Sequence, residues 1–305
     1  MNKGMNGNFL AYIGHFNIDI VLRVEKLIDL VSTPVNAVKE QFGGTAGNFS
    51  LVASFLDFPF EPVSIISEQS HSVYIKELQK RKINTELIKI VQNSFGPSCY
   101  AVTDGSAQKY FMANGPMESE DYCVTDKAYD IIHSSTGIPE KNLSFIESTS
   151  HKKVAFDPGQ EAGSKYNSSH IRKFIEISDM VISNEHEIGI IQEKSGMNLD
   201  DLNSSGIDVV VTRGEKGTTI HRNGKTTKIH GIKMDSIQDT IGAGDSFRAG
   251  FYSGLFHTND MEFAALCGNI VASRTLRDGV IGFHTGWNEI ETKAKGLKGT
   301  NITRL

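Results

Sequence analysis

Near its C-terminal end the chain reads Asp239-Thr-Ile-Gly-Ala-Gly-Asp245-Ser-Phe-Arg-Ala-Gly-Phe251, a glycine-rich turn followed by an apolar run. The small residues Gly242, Ala243 and Gly244 allow a ligand to approach the backbone closely. The apolar run predicts a helix, and the first turn of a helix offers free N–H groups at the positive end of its dipole. The stretch therefore predicts an anion site, such as one for a phosphate group.

Asp245 belongs to the first turn of that predicted helix. A carboxylate beside a phosphate site is electrostatically unfavourable unless it has a task, such as accepting the proton of an attacking hydroxyl. An aspartate that only caps the helix is the alternative.

The glycine spacing of the stretch does not fit a dinucleotide loop, G-x-G-x-x-G, because the third glycine comes later, at Gly250. This argues against a Rossmann dehydrogenase. The stretch does not fit a Walker A loop either.

The stretch closely resembles D-T-x-G-A-G-D-x-F-x-x-G-F, the C-terminal motif of the ribokinase-like (pfkB) family of sugar and nucleoside kinases. In that family the last aspartate is the catalytic base and the G-A-G backbone forms an anion hole. The resemblance implies these roles for Asp245 and for Gly242, Ala243 and Gly244. It also implies the fold: one α/β catalytic domain over residues 1–305, a three-layer sandwich with a central, mostly parallel sheet and a small β lid.

Composition limits the class of protein and of partner. Its 305 residues, 39% of them hydrophobic and 22% charged, indicate a soluble globular protein. A formal net charge of −5 gives no indication of nucleic-acid or membrane binding. Three widely spaced cysteines predict a reducing compartment, and the chain carries neither a signal-peptide pattern nor an apolar stretch of ~20 residues. We therefore expect a cytoplasmic protein.

Asp19 follows a predicted buried strand, Phe9-Leu-Ala-Tyr-Ile-Gly14. Open α/β sheets bind ligands beyond the carboxyl ends of their strands, and a carboxylate can accept hydrogen bonds from two vicinal hydroxyls. An aspartate that caps a loop is the alternative. In the resembled family an aspartate at this place binds two sugar hydroxyls, and the resemblance implies this role for Asp19.

A second small-residue stretch, Gly43-Gly-Thr-Ala-Gly-Asn48, precedes the apolar run 49–56, which predicts a helix. The glycines allow close approach of a ligand, and Asn48 offers both a donor and an acceptor. Close packing of a helix on a strand is the alternative. The stretch resembles the N-terminal motif G-G-x-x-x-N of the same family, and the resemblance implies that Gly44, Gly47 and Asn48 bind substrate.

The lid is expected at residues 16–42 and 97–115. The runs Ile20–Val24 and Val35–Phe42 predict a half-exposed flap, where the family places its lid. Asn36 on this flap is a candidate substrate ligand, or simply an exposed strand residue.

The runs 98–104 and 107–112 predict a hairpin that forms the second half of the lid. On this hairpin Met112 is a candidate for substrate and Gln108 for nucleotide. Exposed lid strands can pair between subunits, so we expect a possible homodimer through the lid.

From residue 129 onward the chain alternates strand-like and helix-like runs, which predicts a parallel sheet with right-handed crossovers. Asp157-Pro-Gly-Gln160 ends one of these strands, and a Pro-Gly turn is the simple explanation. The sequence D-P-G-Q also resembles archaeal nucleoside kinases of the family, in which the glutamine contacts substrate. The resemblance implies that role for Gln160.

Asn184-Glu-His-Glu187 ends the next strand and predicts a capping box. It also resembles the N-x-x-E element of the family, which is linked to phosphate and Mg²⁺ through the glutamate. The two interpretations are compatible, since hydrated Mg²⁺ commonly uses one or two carboxylates together with substrate phosphates. The resemblance implies nucleotide binding for Asn184 and Mg²⁺ binding for Glu187.

The next strand ends in a sequence that resembles the nucleotide-binding turn T-[KR]-G-x-x-G of the family. A glycine-rich turn into the hairpin 218–229 is the alternative, because Asn223-Gly224 is typical of a type I′ turn. The resemblance implies nucleotide contacts for Thr212, Arg213, Gly214, Glu215, Lys216 and Gly217.

Together these motifs predict a nucleoside kinase that transfers the γ-phosphoryl group of ATP, with Mg²⁺, to the 5′-hydroxyl of a ribonucleoside. The preference for a nucleoside rests on the resemblance to archaeal nucleoside kinases and on the small number of basic residues near the lid. A sugar kinase of the ribokinase or phosphofructokinase type is the alternative. A non-catalytic sensor on the same fold would lose the base or the anion hole, and both are present in the sequence.

Overall fold

A computed structural model of the protein describes residues 8–27, 32–234, 237–238 and 240–304, without the side chain of Gln108. The polar N-terminal segment and Asp239 of the motif lie outside these ranges. The strands are β1 (Asn8–Ile13), β2 (Asn17–Val24), β3 (Val35–Gly43), β4 (Phe60–Ser67), β5 (Ile88–Val91), β6 (Ser98–Thr103), β7 (Gln108–Ala113), β8 (Ala128–Ser134), β9 (Ser150–Phe156), β10 (Met180–Asn184), β11 (Asp208–Thr212), β12 (Thr218–Arg222), β13 (Lys225–Ile229) and β14 (Ile302–Arg304). The helices are α1 (Thr45–Ala53), α2 (Glu68–Lys80), α3 (Pro139–Ser148), α4 (Ser168–Ile177), α5 (Glu185–Ser195), α6 (Leu199–Ser204), α7 (Ala243–Thr258), α8 (Met261–Gly282) and α9 (Trp287–Asn301).

A ten-stranded sheet forms the centre of the molecule, in the order β14-β13-β12-β11-β10-β9-β8-β1-β4-β5. The pairs from β11 to β5 are parallel, whereas β12, β13 and β14 pair antiparallel at one edge. Strands covered on both faces need continuous apolar runs, as in the buried residues 209–211 of β11. The predicted α/β sandwich with a mostly parallel sheet is confirmed.

Helices cover both faces of this sheet and divide the core into two layers. One layer contains Phe49 of α1, Phe251 of α7 and Ile270 of α8, and the other contains Phe145 of α3 and Phe174 of α4. Helices α7 and α8 lie very close together. A Cβ atom on Gly250 would come within 2.8 Å of a backbone oxygen of α8, so this glycine of the motif serves helix packing.

The lid is a separate four-stranded sheet, in the order β3-β2-β6-β7. Strand β2 pairs antiparallel with β3 and parallel with β6, and β6 and β7 form the predicted hairpin. The register gives the sheet two faces, since directly paired residues share a face. One face carries residues 19 and 21 of β2, 99 and 101 of β6, and 110 and 112 of β7, while residues 22, 38, 100 and 111 belong to the opposite face.

Several predicted boundaries shift. The helix predicted from Phe49 begins at Thr45, because Gly44 turns the chain with φ of 84° and its carbonyl accepts the Asn48 N–H at 2.8 Å. The run 83–91 has a strand-like pattern, but strand β5 begins only at 88, since a turn closed by the Ile88 N–H to the Thr85 carbonyl precedes it. Helices α6 and α9 and strand β14 were not predicted.

Two further segments bear on the sequence motifs. The Gly-Lys-Thr triplet at 224–226 belongs to the β12–β13 hairpin, as the Asn-Gly turn predicts, and therefore starts no helix. Helix α8 extends to Gly282, beyond the helix-like run 260–275 of the sequence, and is interrupted at Gly279, where φ is 73°. None of the helices in the described ranges combines the length and apolar character needed to span a membrane.

Candidate active site

Two cavities meet at the glycine-rich loop that precedes α7. The lid cavity, of about 500 Å³, lies between the lid sheet and the carboxyl ends of the central strands. The α8 cavity, of about 970 Å³, lies between the turn after β11, residues 231–234 and 237, and helix α8. Both are lined by the residues Thr212, Gly214, Thr240, Ala243 and Gly244. A group that bridges the two cavities must therefore pass over the N-terminus of α7.

Asp245 lies in the first turn of α7, as predicted, and lines the lid cavity. The helix starts after Gly242, whose φ of 72° is readily adopted only by glycine and whose carbonyl accepts the Ser246 N–H at 2.8 Å. The N-cap residue is Gly242, so Asp245 does not occupy the capping position of the helix. Its Oδ2 instead accepts a hydrogen bond from Asn48 Nδ2 at 2.9 Å. The carboxylate is thus held by α1 and faces the cavity.

The charge on Asp245 is set by burial and by its neighbours. Burial raises the pKa of this carboxyl from 3.8 to about 7, although Arg248 and the Asn48 hydrogen bond oppose the shift. A general base works best when its pKa lies near the working pH. The group can therefore exchange a proton near neutral pH.

Asp19 lines the lid cavity from lid strand β2, which we call the lid end, whereas Asp245 lines it from α7, the helix end. Asp19 was predicted just past the end of a strand, within residues 16–42 of the expected lid, and it belongs to lid strand β2, opposite Cys99 of β6 and Gln41 of β3. Burial raises its pKa to about 6, and its Oδ1 is buried without a hydrogen-bond partner among the described residues. A Cβ atom on Gly43 would lie 2.1 Å from Asp19 Oδ2, so the first glycine of the N-terminal motif makes room for this carboxylate.

The other predicted substrate residues divide into two groups. Gly44, Asn48, Met112 and Gln160 line the lid cavity. Gly47 does not, and a Cβ atom there would lie 2.0 Å from Tyr74 Oη, which indicates a packing role.

One predicted ligand on the lid lies apart from both cavities. Asn36 is exposed on β3, where the register with β2 shifts, and lines neither cavity. The side chain of Gln108 is outside the described part of the structure.

The predicted nucleotide residues follow β10 and β11. Thr212, Gly214, Glu215, Lys216 and Gly217 line the α8 cavity. Arg213 lines neither cavity, and its Nε lies 3.5 Å from Glu185 Oε1.

Asn184 lines the lid cavity and caps α5. Its side chain accepts the His186 and Glu187 N–H groups at 2.9 and 2.8 Å, and Glu187 Oε2 accepts the Asn184 N–H at 3.0 Å. The predicted capping box is confirmed. Glu187 also lines the lid cavity, and burial raises its pKa.

Glu187 is the predicted carboxylate for a Mg²⁺ ion at this site. Among the described residues no group of three or more His, Cys, Asp or Glu side chains could hold a metal. Glu187 is buried at the edge of the cavity, close to the shared glycine loop. This donor set fits a hydrated Mg²⁺ bound mainly by nucleotide phosphates, and does not fit a metal site built by the protein alone.

Sequence reasoning missed several residues of both cavities. A buried polar network forms one wall of the lid cavity: His15 Nδ1 and Thr45 Oγ1 each lie 2.7 Å from Thr136 Oγ1. The signal for His15 was its position directly after β1. The wall of the α8 cavity includes the apolar residues Ile232, Met234, Ile237, Ala272 and Leu276. No sequence motif marks these residues, because they share only their position on α8 or in the segment before α7.

Known proteins resemble this chain over nearly its whole length. The pattern of the pfkB family carbohydrate kinases matches residues 8–279. A nucleoside kinase of Thermoplasma acidophilum is 35% identical over 95% of this chain and 97% of that protein. A nucleoside kinase of Methanocaldococcus jannaschii is 27% identical over 87% of this chain and 89% of that protein.

Solved structures agree with these sequence matches. The crystal structure of the Methanocaldococcus jannaschii nucleoside kinase, an archaeal member of the ribokinase family, aligns over its full length with 96% of this chain. Its TM-score is 0.85 and the identity is 26%. A Burkholderia thailandensis nucleoside kinase adds support for the fold alone, with a TM-score of 0.84 at 20% identity and coverage of 96% and 99%.

The chain is a ribokinase-like phosphotransferase that acts on an alcohol group. It belongs to the pfkB family of carbohydrate kinases. The resemblance drawn from the two glycine motifs is thereby confirmed, as are the family and the class of reaction.

Proposed function

We propose that this kinase transfers the γ-phosphoryl group of ATP to the 5′-hydroxyl of a ribonucleoside. One observation carries the proposal: the lid cavity has carboxylates at both ends and an apolar wall on the lid. That wall is formed by the residues Val21, Cys99, Ala101, Tyr110 and Met112. A nucleoside has the matching character, since its base is a flat, largely apolar ring and its ribose carries hydroxyls. Relatives named nucleoside kinases support the same substrate class.

The ribose would bind between Asp19 and Asn48. Asp19 Oδ1 and Asn48 Oδ1 are both buried acceptors without a hydrogen-bond partner in the described structure. A buried acceptor left unpaired costs free energy, so both positions favour a ligand that donates hydrogen bonds. The 2′- and 3′-hydroxyls of ribose supply two such donors on neighbouring atoms.

The 5′-hydroxyl would then point toward Asp245. Its carboxylate would accept the hydroxyl proton as the oxygen attacks the γ-phosphorus and the bond to the β-phosphate oxygen breaks. The N–H groups of the loop Gly242–Gly244 would stabilise the charge on the transferring phosphoryl oxygens. Asn48 also donates a hydrogen bond to Asp245, so its side chain would connect the ribose with the catalytic base.

The α8 cavity would take ATP. The apolar side chains of Ile232, Ile237 and Leu276 suit the adenine ring, and the cavity leads to the glycine loop where the phosphates would lie. Bound Mg²⁺ supplies charge neutralisation between phosphate groups. Glu187 would hold its hydration shell from the α5 side.

A sugar phosphate fits the lid cavity less well. Such a substrate requires cationic side chains at its phosphate group. Among the described residues of the lining, the basic side chains are His15 and Arg248. Arg248 is already paired with Asp157, and His15 is bonded to Thr136. A phosphofructokinase-type activity therefore lacks its anchor here.

The test is a substrate panel with Mg-ATP. ADP release and the phosphorylated product are measured for purine and pyrimidine ribonucleosides, ribose, ribose 1-phosphate and fructose 6-phosphate. We expect kcat/KM for at least one ribonucleoside to exceed that for every sugar by about 100-fold or more, because a sugar lacks the base that fills the apolar lid wall. A sugar or sugar phosphate as the preferred acceptor would contradict the proposal.

We also propose that the lid mediates a homodimer. Its face away from the cavity includes Leu22, Val38, Tyr100 and Phe111, of which Val38 is 66% and Phe111 58% exposed. Contiguous exposed apolar side chains commonly mark an interface. Sedimentation velocity should give a dimer for the wild type and a monomer for Val38→Glu/Phe111→Glu. A monomeric wild type at micromolar concentration would refute it.

A further inference from the structure

Arg248 is a buried cation beneath the catalytic loop. It follows Asp245 by one turn of α7, lines the lid cavity and is only 7% exposed. A Cβ atom on Gly244 would lie 2.7 Å from its Nη1, so the guanidinium packs directly against the glycine loop. Its Nε donates a hydrogen bond to Asp157 Oδ2.

Asp157 fixes this arginine from the end of β9. It is fully buried, and its Oδ2 also lies 3.4 Å from His133 Nε2. His133 Nδ1 is 2.7 Å from the Tyr252 hydroxyl, and its ring stacks on Tyr12 with 4.3 Å between ring centroids. The aspartate of the D-P-G-Q turn, which the substrate contacts do not use, therefore anchors a cation one turn from the base.

Stability alone is a poor explanation of this pair. Removing two charges from water costs several kcal/mol for each ion, and a buried ion pair seldom returns more than that. The pair lies beside the buried Asp245, at the point where the transferred phosphoryl would sit. An interaction of that kind is retained more readily where it serves the chemistry.

We infer that Arg248 is a positioning residue for the base: anchored by Asp157, its guanidinium keeps the Asp245 carboxylate charged and the glycine loop in place. The inference rests on the proposed role of Asp245 as the base. It concerns a residue outside the set that the two glycine motifs suggest for catalysis.

The charges around Asp245 support this assignment. Arg248, on the same helix, is the leading influence that lowers the pKa of Asp245, followed by the hydrogen bond from Asn48 of α1. Asp157 after β9 and Glu187 of α5 act in the opposite direction by repulsion. Burial has the largest effect and raises the pKa. Without the guanidinium, the carboxyl would face burial and two like charges with only a neutral amide to oppose them.

Two further groups act on the same site. Asp245 in turn raises the pKa of Tyr12 on β1 and of Tyr74 on α2, and burial is the first cause for both. These tyrosines are uncharged at neutral pH and add no charge to the site. The charge of Arg248 is therefore balanced against the surrounding carboxylates.

The experiment compares pH–rate profiles of Arg248→Met, Arg248→Lys and wild type. Loss of the cation should move the acid limb of kcat/KM to higher pH by about one unit or more, the effect of an adjacent opposite charge. Activity at pH 7 should then fall about 5- to 10-fold and recover in large part by pH 9. Arg248→Lys retains the charge and should keep the limb near its wild-type position.

A merely structural role predicts a different result. It would lower the rate equally at all pH values and leave the limb in place, and that outcome would overturn the inference. An acid limb of Arg248→Lys that shifts as far as the acid limb of Arg248→Met would also overturn the inference.

Two controls separate folding from catalysis. Arg248→Met leaves the buried Asp157 charge unpaired, so Arg248→Met/Asp157→Asn, which removes both charges, is measured beside it. The acid limb of this double variant should still lie at higher pH than that of the wild type, since Arg248 acts on Asp245 more strongly than Asp157 does. Arg81→Met removes another arginine of similar burial, paired with Glu77 outside both cavities, and should leave the limb unchanged.

Failure of the inference and failure of the proposed base are distinguishable. If Asp245→Asn is inactive while the Arg248→Met limb stays in place, the base stands and the inference falls. If Asp245→Asn remains active, the proposed base falls. Carboxyl ¹³C chemical shifts followed over pH report the ionisation of Asp245 directly, and in Arg248→Met its midpoint should move upward even without turnover.

Discussion

The two ends of the lid cavity carry buried carboxylates in different surroundings. Asp245, at the helix end, has a fixed donor in Asn48 and a cation in Arg248. Asp19, at the lid end, has an oxygen without a partner among the described residues, and burial is the cause that raises its pKa. The contrast matches the proposed roles: a group that accepts and releases a proton is tuned by its neighbours, whereas a group that binds hydroxyls is left open for them. The predictions below test this contrast.

The largest expected effect is that of Asp245→Asn on turnover. Loss of a general base typically lowers kcat by about 10²- to 10⁴-fold, while KM for the nucleoside should stay within about 3-fold because the ribose contacts remain. Steady-state kinetics with Mg-ATP measure both. Asp208→Asn, which alters a half-buried aspartate paired with Arg222 outside both cavities, is the matched control. Near-wild-type turnover of Asp245→Asn would show that the helix end is not the catalytic end.

Asp19→Asn should affect binding more than chemistry. Hydrogen bonds to a charged group are worth about 1.5–3 kcal/mol each, so kcat/KM should fall by about 10- to 100-fold, mainly through KM. A 2′-deoxynucleoside should show a similar loss with the wild type and little additional loss with the variant. Full additivity of the two losses would mean that Asp19 does not contact the 2′-hydroxyl.

The pH profile should contain both carboxylates. Their pKa values are raised to about 7 for Asp245 and about 6 for Asp19, and each must be ionised for its role. Activity is therefore expected to fall as the pH drops through about 7, with a slope that approaches two below about pH 6. In Asp19→Asn the slope should remain near one. An acid limb centred near pH 4 would contradict the raised pKa values of Asp245 and Asp19.

The smallest effect is on stability. A carboxyl whose pKa is higher in the folded than in the unfolded chain binds more protons when folded, so its contribution to stability falls as the pH rises from about 4 to 7. Asp245→Asn removes this penalty and should raise the free energy of unfolding at pH 8 by roughly 1–4 kcal/mol. Asp19→Asn should raise it less, because the pKa shift is smaller. Urea unfolding at pH 8 and pH 5 measures the gain, which should shrink at the lower pH.

Local sequence was most informative where the chemistry is carried by neighbouring residues. The glycine loop with Asp245, the capping box of Asn184 and Glu187, and the Asn223-Gly224 hairpin each lie within a few positions of the chain. Short-range backbone geometry dictates such patterns, so the residues alone predict them. The alternation of strand-like and helix-like runs likewise predicted the parallel sheet.

Sites assembled across the chain were predicted only in part. Asp19 was placed at the end of a strand and within the expected lid, but its partners were not predicted, because the sequence does not reveal that β2 pairs with β6 in a second sheet. Asn36 and Gly47 matched the family by position, yet one is exposed and the other packs on Tyr74. Whether a side chain lines a cavity depends on the face of the strand or helix, and the register decides that.

The sequence by itself determined the family, the class of reaction and the loop that would hold the transferred phosphoryl group, because these depend on local backbone geometry and on residues adjacent in the chain. Only the tertiary structure joined Asn48 to Asp245 across 197 positions and Arg248 to Asp157 across 91. It also decided the pKa of each carboxylate, since burial and distant charges set the cost of ionisation and neither is encoded at one position.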